Sequence, residues 1–244
     1  MSAPVKIGVL GAAGRMGRAL LSEINKEPQA KLVAALAAPG SPHIGETIGG
    51  VILSQDIRHA LQVCDVLVDF SHPSAAIDAA LMMYGTPCKT LVTGTTGYTK
   101  TEEQALVAAA DSITLVKSGN FSIGICVLET LVAQAAHTLK EGWDIDVLDI
   151  HHRHKKDAPS GTALMLGDAA KAGRGKDAKV EYAALRHGGV IGEHHIAIAS
   201  ELETLTLSHS ANDRAVFAKG ALTAALWAFG KPKGLYGMKD VLGL

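Results

Sequence analysis

Residues 151–162 read His-His-Arg-His-Lys-Lys-Asp-Ala-Pro-Ser-Gly-Thr, and the chain's proton-carrying side chains are concentrated there. An imidazole titrates near neutral pH and serves as general acid or base, and an ammonium crowded by other cations is a better proton donor. Ser160, Gly161 and Thr162 stand where a helix is expected to start, so amides, two hydroxyls and the helix dipole form a receptor for a carboxylate. The segment therefore suits an anionic substrate that takes up a proton. It leaves an apolar strand candidate, and strand alternation sends His151 and Arg153 to one face and His152 and His154 to the other. The residues alone do not choose between His151 and His152. Three plainer readings compete. A solvated loop is the ordinary one, a basic patch for nucleic acid lacks interleaved aromatics, and a zinc site from His151, His152, His154 and His194 or His195 lacks the usual ligand spacing.

A second chemical signal lies at the N-terminus. The apolar run Val5–Leu10 enters Gly11-Ala12-Ala13-Gly14-Arg15-Met16-Gly17 and then a helical pattern, a G-x-x-G-x-x-G turn between strand and helix. Gly11 allows the tight turn, Gly14 lets backbone approach a pyrophosphate, Gly17 lets helix meet strand, and the helix N-terminus offers unpaired amides to the anion. An acidic residue about 20 positions on would bind the ribose of NAD, but the second strand ends in Leu36-Ala37-Ala38-Pro39-Gly40. Neither that acid nor an arginine for a 2′-phosphate is there, and the choice between NADH and NADPH stays open. Gly94, Thr95 and Thr96, and then Ser118, Gly119, Asn120 and Phe121, follow later strands and fall in the same crevice by topology; Phe121 offers a ring to lie against the cofactor.

The elements that must carry these groups are legible as a pattern. Short β-branched runs at 5–10, 31–36, 65–70, 89–93 and 113–116 alternate with helical segments at 16–24, 74–83 and 101–110, with Ser74 and Thr101 as expected caps. That alternation predicts an α/β fold with an N-terminal Rossmann-type, doubly wound parallel sheet. After residue 121 the text changes: a helix at 123–139 capped by Ser122, a strand at 144–151, a helix at 162–171, and an antiparallel pair at 194–200 and 204–209. This is a second, α+β domain on a mixed sheet, with loops marked by Gly173, Gly175, Lys176 and Asp177 and by Gly188 and Gly189. A final helix at 215–229 is expected to return to the first domain. The division is thus 1–121 plus 215–244 for dinucleotide binding and 122–214 for substrate binding and oligomerisation.

Composition bounds the rest. With 23 Lys and Arg against 24 Asp and Glu in 244 residues, no bulk field draws the chain to nucleic acid or an anionic membrane. Three separated cysteines in apolar text argue against a disulfide framework, and no stretch matches a secretory leader or a membrane span, so a cytoplasmic enzyme is expected.

Together, Gly-x-x-Gly-Arg-Met-Gly, Gly-Thr-Thr-Gly, Asn-Phe-Ser and His-His-Arg-His-Lys-x-Asp-Ala-Pro-Ser-Gly-Thr-Ala, in this order, resemble the 4-hydroxy-tetrahydrodipicolinate reductase (dihydrodipicolinate reductase) family. The resemblance implies NAD(P)H-dependent reduction of a small cyclic dicarboxylate in lysine and diaminopimelate biosynthesis. By matching positions it makes His151 the proton donor/acceptor and Lys155 the proton donor, with His152, Gly161 and Thr162 on the substrate beside Ser160. It places the cofactor on Gly11, Ala12, Ala13, Gly14, Arg15 and Met16, on Gly94, Thr95 and Thr96, and on Ser118, Gly119, Asn120 and Phe121, with no metal. It also implies a homotetramer built through the second domain's sheet. Two departures stand out: Ala37-Ala38 replaces the family's acidic-basic pair, and the segment before Gly188 is short. The rival readings are another Rossmann-type amino- or keto-acid dehydrogenase and a non-catalytic dinucleotide sensor.

Overall fold

The computed structural model describes residues 3–244; Met1 and Ser2, included in the first domain drawn from the sequence, lie outside the described residues. In chain order the strands are β1 (Val5–Leu10), β2 (Ala30–Leu36), β3 (Thr47–Ile48), β4 (Val51–Ser54), β5 (Val66–Asp69), β6 (Thr90–Thr93), β7 (Thr114–Lys117), β8 (Asp144–His151), β9 (Glu181–Arg186), β10 (Glu193–Ala199), β11 (Thr204–Ser210) and β12 (Gly234–Tyr236). The helices are α1 (Arg15–Ile24), α2 (Ile57–Val63), α3 (Pro73–Met82), α4 (Lys100–Ala108), α5 (Ile123–Thr138), α6 (Gly161–Arg174), α7 (Ala215–Ala228) and α8 (Met238–Leu242). Contacts divide the chain into a first unit, up to Phe121 with Ala215–Gly243, and a second, Ser122–Arg214, with which Leu244 also falls.

The first unit holds an eight-stranded sheet in the order β12-β7-β6-β5-β1-β2-β4-β3, parallel except for the β3–β4 pair. Its central strands β5 and β6 are buried throughout because both faces are covered. Leu67, Leu91 and Leu115 pack with Leu61 of α2, Met83 at the end of α3 and Leu106 of α4. Helices α1 and α7, which give nothing to that cluster, pack on each other, and α7 lies on β5, β6 and β7. Its alanines and Gly220 make this possible, since a Cβ at Gly220 would lie 1.7 Å from the Phe121 carbonyl oxygen. The expected caps move by two residues. His72 caps α3, with Ser74 donating its amide to the imidazole, and Thr99 caps α4 in a capping box with Glu102. The short elements β3, β4, α2, β12 and α8 carry too little periodicity to be read from sequence.

The second unit has a four-stranded mixed sheet, β11-β10-β8-β9, antiparallel except for β8 with β9. Alternation along β8 and β10 buries Ile145, Val147, Ile196 and Ile198 against Ile125, Val132, Leu166 and Ala170 of α5 and α6. Ser122 caps α5 as expected. Gly173 is not in a loop: it lies in α6, where a Cβ would come within 2.0 Å of the Ala133 carbonyl oxygen of α5. Strand β9 has no counterpart among the elements expected from sequence, because its residues are mostly exposed and lack a clean alternation.

Candidate functional site

In the first unit, β1 delivers the chain to Gly11 with φ +82°, where a Cβ would lie 2.3 Å from the Phe70 carbonyl oxygen. At Gly17 a Cβ would lie 2.2 Å from the Gly11 carbonyl oxygen. Turn and helix thus meet backbone to backbone, and only glycine fits. Gly14 is the exposed residue before α1, with no side-chain cap, so the first-turn amides of Arg15 and Met16 have no intrahelical partner. The amides of Gly11 and Ala12 are already spent on the Leu36 carbonyl, and Ala12 is buried. Ala13 keeps its place in the turn by accepting a hydrogen bond from Arg18 Nε at 3.0 Å. Beside the turn opens a groove of about 580 Å³, lined by Gly11, Ala13, Gly14, Ala37, Ala38, Ser41, Gln55, Ser71, His72 and Asp78 among others, with no lysine or arginine in the lining. A dinucleotide fits this cradle: its pyrophosphate needs the close glycine backbone and the open helix end.

The neighbouring strand ends are tied together by a buried carboxyl. Asp69 accepts hydrogen bonds from the Thr93 hydroxyl at 2.6 Å, from the Ser71 amide at 3.0 Å and from the Ser71 hydroxyl. Burial pushes the Asp69 carboxyl up, against the opposing pull of these donors. Thr95 is buried, its hydroxyl accepting from the Ser71 amide, so Gly94 and Thr96 are the accessible members of that loop. Gly94 rests on the Phe70 ring, 2.2 Å from where a Cβ would be. Ser118 accepts from the Asn120 amide and donates to its carbonyl, closing the turn after β7. Phe121, expected to offer a ring to the cofactor, is 2% exposed and edge-on to Phe70 at 6.0 Å, so its ring serves the core.

In the second unit, β8 ends at His151, and the chain turns before the alternation can continue. His151 is buried on the inward face while Arg153 and His154 are exposed; the expected pairing of His151 with Arg153 on one face does not form. His152 is half-buried, its ring 6.2 Å from that of His154. Lys155 has an acidic neighbour, its ammonium 2.9 Å from the Asp157 carboxylate. Ser160 is buried as the cap of α6, its hydroxyl accepting from the Ala163 amide, which leaves exposed Gly161 and half-buried Thr162 at the open helix start.

Beneath this loop lies a polar cluster that the sequence reading missed. Asp149, two residues before His151 on the same buried face, accepts from the Ser160 amide at 2.7 Å and pairs with Arg186 of β9 at 2.8 Å. Burial would raise the Asp149 carboxyl, but hydrogen bonds from Arg186 and Ser160 outweigh it and hold it below the usual carboxylate range. His194 of β10 sits across from Asp149 in register, its ring 5.2 Å from that of His151 and its Nε2 3.3 Å from the Ser160 hydroxyl. The Asp149, His151 and His194 ligand atoms lie within 4.8 Å of one another. The Nδ1 atoms of His151 and His194 are buried without a hydrogen-bond partner from the protein. The readable signal was an acid spaced i−2 from a histidine on a strand; Arg186 had none, because β9 itself was not legible.

Burial, reinforced by the positive charge of Lys155, pushes His151 down to about 4; burial and then the His151 charge do the same to His194, also to about 4. Both imidazoles are therefore neutral near pH 7. The unfolded chain, with ordinary histidines near 6.5, binds more protons between the two values, so stability must fall as pH drops through that window and level off below it. Each group alone is worth on the order of 3 kcal/mol across the window, and the touching pair less than twice that. Urea melts at about pH 7 and about pH 4.5 should show the loss; a midpoint that does not move would contradict the buried neutral pair.

Two family models match in tandem, "Dihydrodipicolinate reductase, N-terminus" over residues 5–121 and "Dihydrodipicolinate reductase, C-terminus" over residues 124–242. The chain is 41% identical over 271 aligned positions to the 4-hydroxy-tetrahydrodipicolinate reductase of Parvibaculum lavamentivorans, covering 100% of both chains. It is 43% identical to that of Allorhizobium ampelinum, covering 98% of each. Among solved structures, a dipicolinate-bound dihydrodipicolinate reductase from Paenisporosarcina sp. TG-14 shares the fold with a TM-score of 0.80 at 18% identity, covering 97% of this chain and 99% of that one. An amine dehydrogenase from Mycobacterium smegmatis follows at 0.62 and 13%, covering 95% and 94%. With both halves matched and the full length covered, the chain belongs to the dihydrodipicolinate reductase family.

Proposed function

We propose that this chain reduces 4-hydroxy-tetrahydrodipicolinate to tetrahydrodipicolinate in lysine and diaminopimelate biosynthesis, with the first unit holding NADH or NADPH and the second holding the substrate. The single observation that carries the reading is full-length similarity to reductases of that name, in a chain whose glycine cradle and His151–Lys155 loop are both intact. A reduced nicotinamide dinucleotide supplies a hydride when bound. The amides of Arg15 and Met16, beside the bare backbone of Gly14, would hold its pyrophosphate, and Gly94 and Thr96, with the turn of Ser118, Gly119 and Asn120, would position its nicotinamide end. At the α6 N-terminus, the amides and hydroxyl of Gly161 and Thr162, with His152, would bind a substrate carboxylate. Ser160 acts beneath them as the cap.

The proton that accompanies hydride addition to the conjugated imine comes from the Lys155 ammonium. Neutral His151 contributes a hydrogen bond at the reacting end; a bound dicarboxylate beside it would raise its proton affinity and draw it into the transfer. A dehydrogenase of another amino or keto acid would not need this loop, and a silent dinucleotide sensor would need neither His151 nor Lys155. The outer face of β9, with Ala183 and Leu185 exposed, suits the subunit contacts of a homotetramer. Among the described residues no helix is long and apolar enough to cross a membrane, and we take the enzyme to work in the cytoplasm, without nucleic-acid partners.

The test is oxidation of NADH and NADPH, side by side, with freshly prepared 4-hydroxy-tetrahydrodipicolinate as substrate. Turnover is expected with both. Because no cation lines the groove beside Ala37 and Ala38, NADPH should not be favoured by more than about tenfold in kcat/KM. No oxidation of either nucleotide would overturn the function; a preference for NADPH of a hundredfold or so would overturn the reading of the groove.

A further inference from the structure

The mechanism above uses His151 and Lys155 but leaves Asp149 and Arg186 without a task, although among the described residues they form the most buried ion pair that involves a lysine or arginine. Arg186 does more than neutralise Asp149. Its Nη1 donates to Asp149 Oδ1 at 2.8 Å, and its Nη2 lies 3.3 Å from Oδ2 and donates to the Asp157 carbonyl at 2.7 Å. One guanidinium thus spans β9, β8 and the loop that carries Lys155, and Lys155 in turn pairs with the Asp157 side chain. Asp149, so held, gives Oδ2 to the Ser160 amide at 2.7 Å and brings the same oxygen to 3.6 Å from His151 Nδ1. A shift of well under 1 Å makes that a hydrogen bond, which would fix the tautomer that leaves Nε2 free. In register, Arg186 faces His151 across β8 and β9.

We propose that the Asp149–Arg186 pair is the positioning device of the active site: Arg186 clamps the Lys155 loop to the sheet and aims the Asp149 carboxylate at His151 and at the start of α6. The inference rests on the function proposed above. The charged and titratable groups facing His151 are Asp149 on its own strand, His194 on β10, Arg186 on β9, and Lys155 and Asp157 on the loop, with His209 of β11 behind His194. The spacing of Asp149, His151 and His194 would also admit a metal ion, but both carboxylate oxygens are engaged by Arg186 and Ser160, and the guanidinium supplies the positive charge a cation would bring.

Breaking one member of a buried pair destabilises the fold, whereas neutralising both at once can leave stability nearly unchanged. The decisive variant is therefore the double replacement Asp149→Asn with Arg186→Met. It should melt close to the parent and bind NADH within about twofold, yet lose at least ~30-fold in kcat and shift the pH dependence of kcat. A merely structural pair would give a double variant with kcat within about threefold of the parent and an unmoved pH profile, and that result overturns the proposal. Should the double variant not fold, Arg186→Lys keeps the charge without the fork and should still cost about fivefold or more in kcat. Parental kcat in that variant is equally fatal. The imidazole nitrogen NMR of His151 needs no turnover: it should report protonated Nδ1 and bare Nε2 in the parent and a changed tautomer balance in Arg186→Lys. An unchanged spectrum overturns the positioning role, whereas a parent inactive on the substrate overturns only the function. Loss of parental activity on treatment with a chelator would replace the clamp with a metal site.

Discussion

Lys155→Ala is expected to lower kcat by about a thousandfold while leaving the dissociation constant for NADH or NADPH within about twofold. The split follows from where the residue sits. Lys155 belongs to the second unit, in the loop between β8 and α6, and the nucleotide cradle belongs wholly to the first. Its partner Asp157 is largely exposed, so losing the ion pair should cost at most about 1 kcal/mol and the variant should fold. Steady-state kinetics with a nucleotide fluorescence titration would check both halves. A variant turning over within about tenfold of the parent would remove Lys155 from the role of proton donor.

Gly17→Ala should do comparable damage to the other half of the reaction, by sterics rather than by lost chemistry. The added methyl would lie 2.2 Å from the Gly11 carbonyl oxygen and 2.6 Å from the Ala12 Cα. Both are backbone atoms, so no rotamer change relieves the clash, and α1 must move away from the turn. We expect about 3 kcal/mol or more off the unfolding free energy. Because the displaced helix start no longer presents its amides, nucleotide affinity should also fall by at least ~30-fold. Gly189→Ala, with open space and an ordinary φ, is the matched control and should leave stability unchanged. Near-parental nucleotide binding by Gly17→Ala would mean that the cradle is not the pyrophosphate site.

The long elements were legible because their periodicity is strong. The β-branched runs of β1, β2, β5 and β6 and the alternation in β8 and β10 could belong to little else, and the parallel sheet with its mixed companion followed from their order. Caps were less legible: His72 and Thr99, rather than Ser74 and Thr101, end the approach to α3 and α4, since a neighbouring side chain can reach the same amides. Short elements such as β4 and β9 exist because they pair with strands distant in sequence, and pairing of that kind leaves little trace in local composition.

The chemistry divides in the same way. A glycine turn between strand and helix and a run of histidines and lysine before a helix start are local facts, so spacing picked out the candidate segments for cofactor and substrate, while the choice of His151 over His152 came from the family resemblance. Which of those side chains face a ligand and which are spent on the fold was decided only by packing, because a side chain's availability depends on what distant strands place around it. Packing put the rings of Phe121 and the hydroxyls of Ser160 and Thr95 inside, turned Lys155 toward Asp157, and brought Arg186 across the sheet to Asp149.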